Sequence, residues 1–170
     1  KIAREWGAEV IDRPPELAQD NSPEWLAWQH AVTHVEQKYG KFDVFVSLPT
    51  TSPLRSKDDV QACLLALSSE VDVVITVTEA SNNPFFNMVS IDDKGRACLF
   101  NDGQEIYIRR QDVPMAYNMT TVAYVIRAEF VMKAQGVFDG VVKAVEVPQE
   151  RAIDIDTPVD FEIARCLINN

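Results

Sequence analysis

The sequence predicts an α/β domain, a parallel sheet with helices on both faces, and three observations carry that prediction. "FDVFVSLP" (42–49) and "VDVVITVTE" (71–79) are nearly continuous apolar runs, which is how strands buried on both faces read. Between them lies a stretch long enough for a loop and a helix, the crossover that two parallel strands require. Ligands in such sheets bind beyond the carboxyl ends of the strands, and the loop from Pro49 to Arg55 lies at one of these ends.

The opening "KIAREWGAEVIDRP" reads as the end of a helix closed by Gly7, followed by a strand. It begins inside an element and without Met, as a piece of a longer polypeptide would. From Ser22 to Gly40 the pattern is helical: Ser22 is placed to cap, Pro23 suits the first helical position, and Trp25, Trp28, Val32, Val35 and Tyr39 recur at steps of three and four. His30 and His34 stand one turn apart but lack the adjacent Glu of a metalloprotease helix, so both read as structural. Ser56 with Asp59 forms a capping box for a helix to about Ser69, with Val60, Leu64 and Leu67 on its buried side.

Residues 82–118 differ in character. Turn signals at Asp93-Lys94-Gly95 and Asp102-Gly103 separate short strand-like runs, an antiparallel arm leaving the main sheet. "TTVAYVI" then reads as a strand, Arg127 to about Ala134 as a short helix, "GVVKAVEVP" as a strand, and the chain closes on a helix capped by Thr157. No repeat or linker interrupts residues 1–170, which read as one domain carrying an arm.

The chain has 170 residues, 46% of them apolar and 25% charged, ordinary globular usage. A formal net charge of -10 argues against nucleic acid or anionic lipid as partners, and an anionic substrate would need local arginines or a metal. Cys63, Cys98 and Cys166 form no C-x-x-C pair, which suits reduced thiols. There is neither a signal peptide nor a run of 18 apolar residues, so a cytoplasmic location is expected.

The chemistry concentrates in "ERAIDIDTPVDFEIA" (150–164). Asp154 and Asp156 alternate with isoleucine as in a strand, which would place both carboxylates on one face, about 6.8 Å apart at their α-carbons. Helix capping by Thr157, Pro158 and Asp160 accounts well for Asp160, partly for Asp156 and poorly for Asp154. A divalent cation with oxygen ligands is the other reading, because Mg²⁺ commonly uses one or two carboxylates together with substrate phosphates.

Taken in order, "DRPPELAQD", "PTTSPLRS", "RRQDVPMAYN" and "ERAIDIDTPVDFEIA" resemble the acylneuraminate cytidylyltransferases over nearly the whole chain. The resemblance implies a three-layer α/β/α, Rossmann-like nucleotidyltransferase fold. The implied reaction joins CTP to the anomeric hydroxyl of a sialic-type 2-keto acid sugar and releases pyrophosphate. It further implies that Asp154 and Asp156 hold Mg²⁺ (or Mn²⁺), that Arg13, Thr51, Ser52 and Arg55 serve the nucleotide, and that Arg110, Gln111, Tyr124 and Phe138 serve the sugar. Arg110 would face the sugar carboxylate and act in catalysis with the two aspartates. Relatives swap an arm between subunits, so a homodimer through residues 82–118 is expected.

Departures bear on the substrate. The family commonly reads "LQPTSPLR", where this chain has Pro49; Phe86 stands where some relatives carry a lysine, Asn118 where some carry an arginine, and Thr120-Thr121 replaces the Asn-Gly of "NGAIY". A related acid such as legionaminate, pseudaminate or an octulosonate is therefore open beside N-acetylneuraminate. The family's Gly-rich triphosphate loop does not appear here, so these residues alone are expected to catalyse little. Two rivals remain at this level: a metal-dependent glycosyltransferase using "DID" as its D-x-D, and an inert cytidylyltransferase-like binding domain.

Overall fold

The computed structural model describes residues 2–19, 21–101, 107 and 109–169. The elements run α1 (Ile2–Glu5), α2 (Glu24–Tyr39), β1 (Val44–Ser47), α3 (Lys57–Ala66), β2 (Val73–Glu79), β3 (Val89–Ile91), β4 (Ala97–Leu99), β5 (Tyr117–Arg127), α4 (Ala128–Lys133), β6 (Val142–Glu146) and α5 (Pro158–Ile168), with 3₁₀ turns at Arg110–Asp112, Val137–Asp139 and Gln149–Arg151 among the connections. Four strands form the main sheet in the order β1-β5-β2-β6, and β3 pairs with β4 apart from it.

Strand direction agrees with the sequence expectation, whereas pairing does not. β2 and β6 are parallel, and β5 is antiparallel to both β1 and β2, so β1, β2 and β6 share one direction. The crossover through α3 returns the chain parallel to β1 but one strand further along. β5, coming back from the arm, fills that gap from the other direction. A sheet read as mainly parallel is therefore mixed, with β5 as its central opposed strand.

The strands separate two apolar layers, because alternate side chains leave opposite faces. On one face Val73, Ile75, Val77, Tyr124 and Ile126 pack with Trp25, Trp28 and Val32 of α2 and Val131 of α4. On the other, Val74, Ala123 and Val125 pack with Cys63 of α3. Trp25 also donates its indole N–H to the Ala134 carbonyl at 2.8 Å, joining α2 to the end of α4. Helices on both faces make the expected three layers.

Local signals explain most helix ends. Ser56 and Asp59 close a capping box on α3, as Thr157 and Asp160 do on α5. Gly40 ends α2 with φ 88°, a conformation that costs glycine little. Other expectations fail for identifiable reasons. Ser22 gives its hydroxyl to the Glu16 carbonyl instead of capping α2. The residues after Gly7 form no strand and pair with no strand of the sheet. α3 stops at Ala66, and Cys63 rather than Leu64 reaches the sheet: Cys63 is fully buried and Leu64 is 45% exposed. Burial pushes the Cys63 thiol up to about 11, with the nearby Asp59 charge adding to the effect.

The arm is a two-stranded ribbon. Asp92 accepts the N–H groups of Lys94 and Arg96, both at 2.9 Å, and Gly95 takes φ 77° in the turn. The Asp102-Gly103 turn lies outside the described residues.

Candidate active site

Three strands of common direction end on one side of the sheet, and the chemistry collects there. β1 runs into the loop at Pro49–Arg55, β2 leads into the arm, and β6 leads through the Gln149–Arg151 turn to Asp154. A cavity of about 550 Å³ at the ends of β2 and β6 is lined by Thr78, Glu79, Ser81, Arg110, Glu146 and Gln149 among others. Thr78 and Gln149 also line a second cavity of about 240 Å³, with Asn118, Thr121, Asp154 and Asp160. Glu79 and Arg110 also line a third of about 370 Å³, with Asn83 and Gln111. The three cavities are neighbours along a cleft from Asp154 to Gln111, sharing Thr78 and Gln149 at one junction and Glu79, Ala80 and Arg110 at the other. Its place beyond the carboxyl ends of the strands is where open α/β sheets bind ligands.

Three contacts between segments distant in sequence hold the Asp154 end together. Ile155 donates its backbone N–H to the Thr51 carbonyl at 2.9 Å. The Ser52 and Thr121 hydroxyls meet at 2.5 Å. Arg151 grips Asp59 through two bonds, Nε to Oδ2 at 2.9 Å and Nη2 to Oδ1 at 2.8 Å. Asp59 in turn accepts the Ser56 N–H at 2.8 Å, so the ion pair also seals the start of α3. Burial alone would raise the Asp59 carboxyl, but the Arg151 and Ser56 bonds outweigh it and hold the group below its ordinary value.

Asp154 and Asp156 do not sit in a strand. Their segment is irregular, crossing to the loop by the single Ile155 bond, and α5 begins immediately afterwards. Local capping takes over at this point: Asp160 Oδ2 accepts the N–H groups of Thr157 at 2.7 Å and Asp156 at 3.3 Å. The Thr157 bonds, then the Asp156 N–H, hold the Asp160 carboxyl below its ordinary value. Asp154 has no such partner. Its Oδ1 is buried and unbonded, and the Arg55 Nε is the other buried side-chain N or O atom without a hydrogen-bond partner among the described residues. Arg55 donates from its other end to the Pro49 carbonyl, and burial lowers its pKa. Buried polar atoms without partners are uncommon in folded proteins, and here one atom of a carboxylate and one of a guanidinium at the strand ends are both unpaired.

No family model matches the chain. A Campylobacter coli protein named post-translational flagellin modification protein B is 29% identical over 171 residues, covering 99% of this chain and 72% of its own length. CMP-N,N'-diacetyllegionaminic acid synthase of Campylobacter jejuni is 26% identical over the same shares of each. N-acylneuraminate cytidylyltransferase of Escherichia coli is 28% identical over 96% of this chain and 38% of its own. The chain is similar over nearly its whole length to the acylneuraminate cytidylyltransferases, and that likeness supports an enzyme of the nucleotidyltransferase class. Solved structures agree on the fold. CMP:2-keto-3-deoxy-manno-octonic acid synthetase, complexed with CTP, superposes with a TM-score of 0.62 at 15% identity over 98% of this chain and 75% of that one. 4-Diphosphocytidyl-2C-methyl-D-erythritol synthase from Anaerococcus prevotii gives 0.60 at 14% identity over 99% and 74%.

The residues that the cytidylyltransferase resemblance singles out are only partly brought together. Asp154, Arg110 and Gln111 line the groove, and Arg110 donates to the Ser81 carbonyl at 2.7 Å. Thr51 and Ser52 flank the Asp154 end, Thr51 exposed and Ser52 fully buried with its hydroxyl on Thr121. Asp156 is exposed beside Asp154. Arg13 is exposed and lines none of the three cavities. Tyr124 belongs to the core, 6% exposed with its ring 5.3 Å from that of Trp28. Burial raises its phenol, and the negative charges of Glu24 and Asp154 add to that. Phe138 is 70% exposed in the turn before β6, whose start pairs with the start of β2, so it lies at the far end of these strands from the groove.

Sequence reasoning missed Thr78, Glu79, Glu146 and Gln149. The first three had a usable signal, since they sit at or next to the carboxyl ends of the two parallel strands. Gln149 had none.

Proposed function

We propose that this chain carries the catalytic groove of a cytidylyltransferase that transfers CMP from CTP to the anomeric hydroxyl of an acidic 2-keto sugar. The observation supporting this most directly is the pair of adjoining cavities at the strand ends, one lined by the Asp154 carboxylate and the other by the Arg110 guanidinium, with Thr78 and Gln149 in the wall of both. In the proposed reaction the anomeric oxygen attacks the α-phosphorus. The new P–O bond forms in line as the bond to the β-phosphate breaks, and pyrophosphate leaves. The hydroxyl proton passes to a carboxylate of the Asp154–Asp156 segment. Arg110, already oriented by Ser81, has N–H donors left for the sugar carboxylate, a geometry suited to a guanidinium.

The donor set fits a divalent cation. Asp154 and Asp156 offer hard carboxylate oxygens, and the buried Asp154 Oδ1 lacks the hydrogen bond a purely structural aspartate would make. Mg²⁺ or Mn²⁺ held by these two residues with phosphate oxygens would neutralise the charge on the triphosphate. Arg55, at the loop, is placed for the nucleotide. Support for the acid-sugar class comes from relatives named for legionaminic acid and N-acylneuraminate.

The test is pyrophosphate release by the full-length polypeptide with CTP, Mg²⁺ and a panel of eight- and nine-carbon 2-keto acids. Release with one acid is expected. Arg110→Ala should raise KM for that acid by about 10- to 100-fold, the worth of a charge-assisted bond, and leave KM for CTP within a factor of about two. Equal losses for both substrates would remove Arg110 from the carboxylate.

The arm is proposed to join two copies. A two-stranded ribbon is marginal alone in water, and this one exposes Val89 at 53%, Ile91 at 70% and Phe100 at 67%. Sedimentation of the full-length protein at micromolar concentration should give a dimer, and a monomer there would refute the arm's role.

A further inference from the structure

The β2–β5 ladder carries an irregularity with a single residue at its centre. Ile75 pairs with Tyr124, but the next residue, Thr76, pairs with Thr120. One step along β2 therefore spans four along β5, and Thr121, Val122 and Ala123 bulge from the ladder. Bulges re-aim side chains and are frequent beside active sites.

Thr76 is fully buried. Its hydroxyl accepts the Ala123 N–H at 3.2 Å and the Thr120 hydroxyl at 2.7 Å. It donates toward the Thr120 and Ala123 carbonyls, each at 3.3 Å. A hydroxyl has one proton to give and two lone pairs, so this one is fully used, and every partner belongs to one end or the other of the bulge.

The bulge has a consequence outside the core. It delivers the Thr121 hydroxyl to Ser52 at 2.5 Å and sets Thr120 and Thr121 into the cavity wall beside Asp154. Thr51, next to Ser52, accepts the Ile155 N–H at 2.9 Å, which anchors the residue after Asp154. Two hydroxyl pairs, Thr76 with Thr120 and Thr121 with Ser52, thus connect the sheet interior to both segments at the Asp154 end of the groove. In this arrangement Thr120-Thr121 is a pair of structural hydroxyls.

We propose that Thr76 is a positioning residue: its hydroxyl fixes the β5 bulge and, through Thr121 and Ser52, sets the 49–55 loop against Asp154. The kinetic consequence rests on the cytidylyltransferase reading; the structural one does not.

The experiment uses the full-length protein with Thr76→Val, Thr76→Ser and Thr121→Val. Val keeps the volume and branching of Thr76 but leaves the Ala123 N–H and the Thr120 hydroxyl buried without their partner. Without any substrate, amide exchange at Ile155 should speed up by about tenfold in Thr76→Val and in Thr121→Val, and stay near wild type in Thr76→Ser. With CTP and the acid, kcat should fall by about 10- to 100-fold in Thr76→Val, as expected for a displacement near 1 Å. Thr76→Ser should restore it, and Thr121→Val should lower kcat without lowering Tm.

Should Thr76→Val fail to fold, Thr121→Val still decides, because its side chain is only part-buried. Unchanged Ile155 exchange in Thr121→Val, or no rescue by Thr76→Ser, would overturn the proposal. Absence of turnover in the wild-type protein would instead refute the functional reading, and the exchange measurement would judge the positioning role on its own.

Discussion

Asp154→Asn combined with Asp156→Asn should lower the turnover of the full-length enzyme by about 10³-fold or more while the protein stays folded. The size follows from the role: a cation clamped on a phosphoryl group contributes several kcal/mol to the transition state, and each 1.36 kcal/mol is about tenfold in rate. Amide oxygens would be poor substitutes for the two carboxylates proposed to hold Mg²⁺. Retention of the fold follows from the surroundings. Asp154 Oδ1 has no partner to lose, Asp156 is exposed, and the capping box of α5 is closed by Thr157 and Asp160 instead. The measurement is pyrophosphate release beside Mn²⁺ binding followed by electron paramagnetic resonance. Near-normal turnover in the double variant would sink the metal assignment.

Asp59→Ala should be the most destabilising of these changes. Its carboxylate is 5% exposed and accepts both the Arg151 bonds and the Ser56 N–H. Breaking a buried pair costs about 3–5 kcal/mol, and losing a cap about 1. The Arg151 side chain is 36% exposed and can turn to water, which reduces the expected total to about 2–3 kcal/mol. Melting should fall by about 6–9 °C for a chain of this size. A drop below about 2 °C would show that the pair contributes little.

The same pair makes a prediction about acid. A carboxyl held below its unfolded pKa contributes stability above that ordinary value, and the contribution is lost as pH falls through the folded pKa, here below about pH 4. Removing Arg151 as Arg151→Met leaves burial, which acts in the opposite direction, with only the Ser56 bonds against it. The acid-unfolding midpoint should therefore move to higher pH.

What the sequence shows by itself is what neighbours along the chain decide. The Ser56–Asp59 and Thr157–Asp160 boxes are three residues wide, Gly40 ends its helix by its own backbone freedom, and the apolar runs of β1 and β2 identify themselves as strands. Asp154 was legible as an aspartate that capping left unexplained, and its Oδ1 is buried without a hydrogen bond. Contacts between distant residues were not legible. Nothing in "VVITVTE" or "TTVAYVI" says that β5 enters between β1 and β2 or that its register slips at Thr76, because strand order and register are chosen by pairing energies summed over the whole sheet. Likewise Arg151 and Asp59 stand 92 residues apart, and their union depends on two chain segments reaching the same side of that sheet. Local propensity determined the elements of this protein and the identity of its acids. Only the tertiary structure decided which of those acids face a groove, since a carboxylate becomes a ligand, a cap or half of an ion pair according to what folding leaves beside it.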